Sequence, residues 1–223
     1  MIGDIHGCDR LLSELISRLE RLELPPQHVV CVGDYIDRGD ESAAVLRRLH
    51  RLTLEAGVTC LLGNHEDMLI DFLDRPERAG PRWLRYGGLQ TLASFGLGPI
   101  AETAPEEAWR AHRDALRLAM GEDLEAWLRR LPLFWRSGNI AVVHAGADPA
   151  VRLSDQSRRS LLWGHPEFSR TARQDGLWVI HGHTVVERIA HRDGRIGIDT
   201  GAYATGRLSA ALVSTWDVEV IST

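Results

Sequence analysis

Five short runs of glycine, carboxylate and histidine punctuate this chain and constrain its fold more than any other feature. They are Gly-Asp-Ile-His-Gly at 3–7, Gly-Asp-Tyr-Ile-Asp-Arg-Gly at 33–39, Gly-Asn-His-Glu at 63–66, His-Ala-Gly at 144–146 and His-Gly-His at 181–183. The last four each follow an apolar stretch of strand length. A parallel sheet collects polar groups placed this way at the carboxyl ends of its strands. The first run lacks such a lead, because only Met1 and Ile2 precede Gly3. Its strand is therefore expected to be a stub, or the start of the chain to be truncated.

Between these runs the first third alternates strand and helix. Residues 8–22 place Leu11, Leu12, Leu15, Ile16, Leu19 and Leu22 on one helical face. Pro25 and Pro26 close that helix, and 28–32 reads as a short buried strand. Residues 41–54 are helical again, and 58–62 form the next strand. This βαβαβ rhythm favours a parallel sheet. Residues 69–135 change character, being rich in Trp, Arg and Glu with a break at Gly87 and Gly88. They are expected to form a helical insertion beside the site, inside a single domain spanning 1–223. Beyond it, 139–143 returns to strand, and the rest, starting with the strand at 177–180, reads as more antiparallel. Asp193 and Gly194 turn a hairpin between 186–190 and 195–198, and further strands cover 208–214 and 218–221.

Composition removes several classes of function. A net charge of −5 argues against a general electrostatic grip on nucleic acid. All 26 basic residues are arginine, so any cationic contact to a phosphate is a guanidinium fork. Cys8, Cys31 and Cys60 form no Cys-x-x-Cys pair, which argues against a disulfide framework and a thiolate zinc site. No signal segment and no apolar run approaching the roughly 18 residues of a membrane span is present. The expected location is the cytoplasm, with neither nucleic acid nor membrane as partner.

The five runs supply the donors that two adjacent divalent cations need. Asp4 and His6, one residue apart in an extended segment, can point the same way. Asp34 offers a carboxylate that can bridge two ions, and Asn64, His144 and His183 add neutral ligands. Oxygen and imidazole without thiolate suit Mn2+ first, with Fe or Zn2+ as alternatives. His65, beside a ligand, is placed as a general acid with Asp37 orienting its ring. Arg38 can fork onto phosphate oxygens. Arg38, Asn64 and His65 are thus the residues expected to meet a phosphate, and the nucleophile a hydroxide bridging the ions. His181, on the same side as His183, is expected behind the ligands rather than as a spare ligand, while Cys8 reads as packing. Tyr203 is equally a packing residue or part of the pocket wall, and the tryptophans of the insertion read as core.

Together these residues resemble the phosphoprotein phosphatase family of calcineurin-like metallophosphoesterases, in a bacterial or lambda-phage-like branch. The resemblance runs from Gly3 to about Gly201 and includes Gly-Gly-Leu-Gln-Thr-Leu-Ala-Ser-Phe-Gly at 87–96. It implies an α/β fold, the four-layer α/β/β/α sandwich, and a phosphoric ester hydrolase with two metal ions. One ion would take Asp4, His6 and Asp34; the other would take Asp34, Asn64, His144 and His183. Phosphomonoesters of serine and threonine in proteins are the implied substrates, with dinucleoside polyphosphates or other small phosphoanhydrides as the alternative. A non-catalytic phosphate-binding protein is the remote third reading. Val185 stands where many related phosphodiesterases carry a second histidine, which matches the phosphatase and tetraphosphatase branches. His165 stands where bacterial protein phosphatases of this kind carry a second phosphate-binding arginine. Arg158, Arg159, Arg170 and Arg173 are near enough in sequence to replace it, but read more simply as solvated.

Overall fold

The apolar face of the first helical stretch becomes helix α1 (Asp9–Glu20), which buries Leu11, Leu12 and Leu15. In the computed structural model, residues 1–22, 29–214 and 217–223 are described. Pro25, Pro26 and His28, where the end of this helix and the start of the next strand are expected, lie outside the described residues. Strand β1 (Val30–Cys31), helix α2 (Ser42–Ala56) and strand β2 (Thr59–Cys60) follow, with β1 and β2 parallel.

The residues before Gly3 pair as strand on both sides. Ile2 N donates to Val30 O at 2.8 Å, and Ile2 O accepts from Val32 N at 3.0 Å. On its other side Gly3 N donates to Ser209 O and Ala211 N to Met1 O. Ile2 therefore joins the β1–β2 pair to the antiparallel pair β8 (Ser209–Val213) and β9 (Val218–Ser222), making one layer.

Five helices occupy the next stretch: α3 (Asn64–Asp74), α4 (Pro76–Leu84), α5 (Gly88–Ser94), α6 (Glu106–Met120) and α7 (Glu122–Arg129). They share an apolar core with α1 and α2, in which Phe72, Trp83 and Trp109 are buried. The expected helical character stops at Arg129. Residues at 134–137 instead form strand β3 (Phe134–Ser137), because the turn at Gly138 pairs them with β4 (Ile140–Val143).

The second sheet has the order β3-β4-β5-β7-β6, completed by β5 (Trp178–His181), β6 (His191–Arg192) and β7 (Arg195–Gly197). The antiparallel reading of this half is wrong at its centre, where β4 pairs with β5 and β5 with β7 in parallel. The crossover between β4 and β5 holds only one short helix, α8 (Arg158–Trp163), so no βαβ rhythm announces it in the sequence. The Asp193–Gly194 turn does form a hairpin, although its first arm starts only at His191.

The two sheets face each other across Val30, Val32, Leu61, Val142, Ile180 and Ile196. Helices α1 and α2 cover the outside of the first sheet, and Leu153, Leu161 and Phe168 cover the second. The result is the four-layer α/β/β/α sandwich. Among the described residues no helix is long and apolar enough to cross a membrane.

Gly80 of α4 sits against the buried Trp109 ring of α6, and a Cβ there would run into that ring. Alanine is better than glycine in a helix by about 1 kcal/mol, whereas overpacking costs about 1–3 kcal/mol. Gly80→Ala should therefore lower stability in chemical denaturation despite its better helix propensity.

Candidate metal centre

The site is assembled where the ends of β1, β2, β4 and β5 meet the first run. Glu66, in the first turn of α3, is the buried group that fixes the loops. Its Oε2 accepts from Asp34 N at 2.9 Å and Gly63 N at 3.1 Å, and its Oε1 from Tyr35 N at 2.8 Å and Ile36 N at 3.3 Å. Burial, with Asp34 beside it, pushes the Glu66 carboxyl up to about 7. These bonds hold the 34–38 turn in a conformation ordinary residues avoid: Asp34, Asp37 and Arg38 all have positive φ, as do His6 and His183. Each such residue costs about 1–3 kcal/mol and persists only where its surroundings impose it. The sequence reading quoted Glu66 within its motif but assigned it no task. The signal was a carboxylate three residues after a glycine at a helix start, a capping position.

Two groups of donors converge. His6 Nε2 lies 3.7 Å and His65 Nε2 3.8 Å from Asp34 Oδ2. His144 Nε2 lies 3.3 Å from Asp34 Oδ1 and 2.8 Å from Asn64 Oδ1, which is itself 2.9 Å from His183 Nδ1. Asp34 thus stands between the groups, as a bridging carboxylate must. Ligand atoms bonded to one ion at about 2.0–2.2 Å stand roughly 3 Å apart, the spacing found around Asn64. The rings are oriented from behind: His6 Nδ1 pairs with Ile36 O at 2.9 Å and His144 Nδ1 with Val32 O at 3.1 Å. That leaves each Nε2 facing the site, the arrangement metal-binding histidines adopt. Asp4 is held through its Oδ2 by His183 N at 2.9 Å, while its buried Oδ1 has no partner among the described residues. A Cβ on Gly182 would collide with that oxygen, so only glycine leaves it open. An orphaned carboxylate oxygen, a bridging carboxylate and back-bonded imidazoles fit two divalent ions.

The electrostatics agree. Burial alone would raise Asp34, yet His144 and His65 hold it well below the usual carboxylate range. Burial presses His144 down, but Asp34 overcomes this and pushes the imidazole up to about 9. Both His144 nitrogens face acceptors, so in the metal-free site a proton stands where a cation would. Burial and the Asp199 and Asp34 carboxylates raise Asp4 well above its ordinary value. Burial takes His6 to about 3 and His183 to about 4, leaving both neutral.

Beside the donors, His65 Nδ1 donates to Asp37 Oδ2 at 2.6 Å. Asp37 is wholly buried and also receives Thr91 Oγ1 at 2.6 Å and the Trp83 indole N–H at 3.0 and 3.1 Å. Trp83 and Thr91 are residues that sequence reasoning placed in the core or in a motif without a role. Arg38 spans the two imidazoles of the first group, with its Nη atoms 3.1 Å from His6 Nε2 and 3.3 Å from His65 Nε2. Its guanidinium lies over the Tyr203 ring at 4.7 Å, so Tyr203 lines the pocket.

All nine residues singled out for the chemistry are brought together, whereas the expectation for His181 fails. His181 packs on Phe168 and pairs with Gly182 O rather than standing behind the ligands. The positive φ of His183 breaks the two-residue alternation on which that expectation rested. Cys8 is a packing residue, its thiol raised by burial to about 11. His165 turns towards Asp148, at 3.6 Å. Arg158, Arg170 and Arg173 pair with Asp67, Glu167 and Asp175.

A sandwich of this kind, with a carboxylate between two groups of candidate metal donors, suits a metal-dependent phosphoesterase. Residues 1–187 match the family model described as calcineurin-like phosphoesterase. The chain belongs to that family and is a phosphoric ester hydrolase. It is 28% identical to the asymmetrical bis(5'-nucleosyl)-tetraphosphatase PrpE of Bacillus velezensis, over 94% of this chain and 86% of that one. It is 31% identical to serine/threonine-protein phosphatase 1 of Salmonella typhimurium, over 96% and 90%. The cold-active protein-tyrosine phosphatase of a Shewanella species shares the fold, with a TM-score of 0.59 at 17% identity, over 93% of this chain and 73% of that one.

Two outcomes test the centre. Glu66→Gln replaces one acceptor oxygen by an amide that faces backbone N–H groups, so stability should fall by about 2–4 kcal/mol in denaturant titration. A cation taking His144 Nε2 must displace its proton, which the metal-free site retains up to about pH 9. Mn2+ affinity should therefore rise about tenfold per pH unit from 7 to 9 and level off above. A flat calorimetric profile would contradict the protonation of His144.

Proposed function

We propose that this protein is a metal-dependent phosphomonoesterase of the serine/threonine protein phosphatase kind, with Mn2+ the best match to its donors. The observation that carries this reading is the His65–Asp37 pair, held at 2.6 Å beside the donor groups and linked to His6 by Arg38. Asp4, His6 and Asp34 would hold one ion, and Asp34, Asn64, His144 and His183 the other. Bound there, the ions would polarise phosphoryl oxygens and bring the pKa of a water towards neutrality.

The remaining work falls to the chain. A phosphoryl oxygen is a stronger acceptor for a guanidinium than a neutral imidazole, so Arg38 leaves His6 and His65 and forks onto the substrate. With Asn64 Oδ1 committed to the imidazole side, its amide N–H is the donor left for a phosphate oxygen. Once Arg38 has moved, His65 Nε2 is free to carry a proton. Burial opposes that charge, but Asp34 and Asp37 outweigh burial and raise the His65 pKa. His65 then gives the proton to the leaving oxygen. Asp37 stabilises the ring while it is charged, and Trp83 and Thr91 stop Asp37 from turning away.

Hydrolysis of bis(5'-nucleosyl) polyphosphates is the second reading. It is favoured by the likeness to the Bacillus tetraphosphatase and by His165 facing Asp148 where a second arginine was expected.

With Mn2+ present, phosphate release should be measured from a phosphothreonine peptide and from an aryl phosphate. His65→Ala should lower kcat on the peptide by about 10²–10⁴, the range for a lost general acid. The aryl phosphate, whose leaving group needs little protonation, should lose less. Equal rates for wild type and variant on the peptide would remove the acid role.

A further inference from the structure

Arg82 stands on the rim of the centre in a place that sequence reading gave no reason to notice. Its guanidinium lies over the Trp163 ring at 5.0 Å and near the Tyr86 ring at 5.9 Å. Those rings touch each other, at 5.9 Å, and each borders the centre: Trp163 lies 6.2 Å from the His183 ring and Tyr86 6.0 Å from the His65 ring. Arg82 is therefore one aromatic ring away from both donor groups.

Its surroundings leave the charge unused. Among the described residues it forms no ion pair. The acids that neighbouring elements offer are committed elsewhere: Glu77 to Arg110, Glu102 to Arg85 and Asp67 to Arg158. Its position is also fixed. The next residue in α4, Trp83, is buried and donates its indole N–H to both oxygens of Asp37. The turn carrying Arg82 is thereby tied to the acid pair itself. Stacking on an indole holds a guanidinium plane in one orientation and leaves its N–H fork to receive an anion.

We infer that Arg82 binds a second phosphoryl group of the substrate, one joined beyond the phosphorus under attack. This rests on the reading of the centre as a phosphoesterase and, of its two substrate readings, favours the polyphosphate one. Arg38 grips the phosphoryl group at the metals, and Arg82 takes the next along the chain. The likeness to the Bacillus tetraphosphatase favours a polyphosphate over an acidic peptide.

The test uses the Mn2+-loaded protein and its Arg82→Ala and Arg82→Lys variants. Arg82→Ala should lose at least tenfold more kcat/KM on diadenosine tetraphosphate than on an aryl phosphate. Tripolyphosphate should weaken as a competitive inhibitor at least tenfold more than orthophosphate does. Arg82→Lys should recover part of both effects, since it keeps the charge and loses the fork. Equal losses on both substrates would overturn the inference, as would unchanged inhibition by tripolyphosphate. A selective loss on an acidic phosphopeptide would overturn it too, by assigning Arg82 to carboxylates. Should the wild type release no phosphate from any ester, the phosphomonoesterase reading fails. Calorimetric binding of tripolyphosphate to wild type and Arg82→Ala still decides the role of Arg82.

Discussion

One buried carboxylate holds the working surface of this protein in shape. Glu66 takes backbone N–H groups from Gly63, Asp34, Tyr35 and Ile36, so two separate loops close on a single side chain. Without that anion the four donors would be buried without partners, at about 1–3 kcal/mol each. With it, the chain can hold Asp34 and Arg38 in left-handed conformations and aim them at the same small volume. The carboxylate lends its charge to the backbone and leaves the chemistry to its neighbours.

The insertion is likewise part of the site. Trp83 serves two masters: its ring fills the helical core against Phe72, and its N–H completes the shell of Asp37. Packing of the helices and orientation of the proton donor are thus linked through one indole. Changes of sequence in α4 or α6 will be felt at His65 even though neither helix supplies a ligand.

The nine residues of the centre were legible because their chemistry demands particular side chains after particular glycines. Helices α1 and α2 were legible through their apolar period. What escaped was set by contacts between distant parts of the chain. The parallel pairing of β4, β5 and β7 depends on crossovers without a helical pattern. The failure of His181 to stand behind the ligands follows from one positive φ at His183, which side-chain alternation cannot reveal. Tyr86, Trp163 and Arg82 carry no motif at all, and only the fold brings them to one rim. Strand β3 was hidden because a tryptophan-rich, arginine-rich segment ran straight into it.

The single bond that His183 N makes to Asp4 Oδ2 joins positions 179 residues apart. Ile2 likewise waits for Ala210 before its layer is continuous. During synthesis the first run leaves the ribosome long before its partners exist, so its carboxylate must remain solvated until almost the whole chain has emerged. Contacts of such span make folding slow relative to local structure. They also make competence for catalysis a late event: a chain that has formed only its helices lacks the centre, which appears when the runs at 3–7 and 181–183 have met.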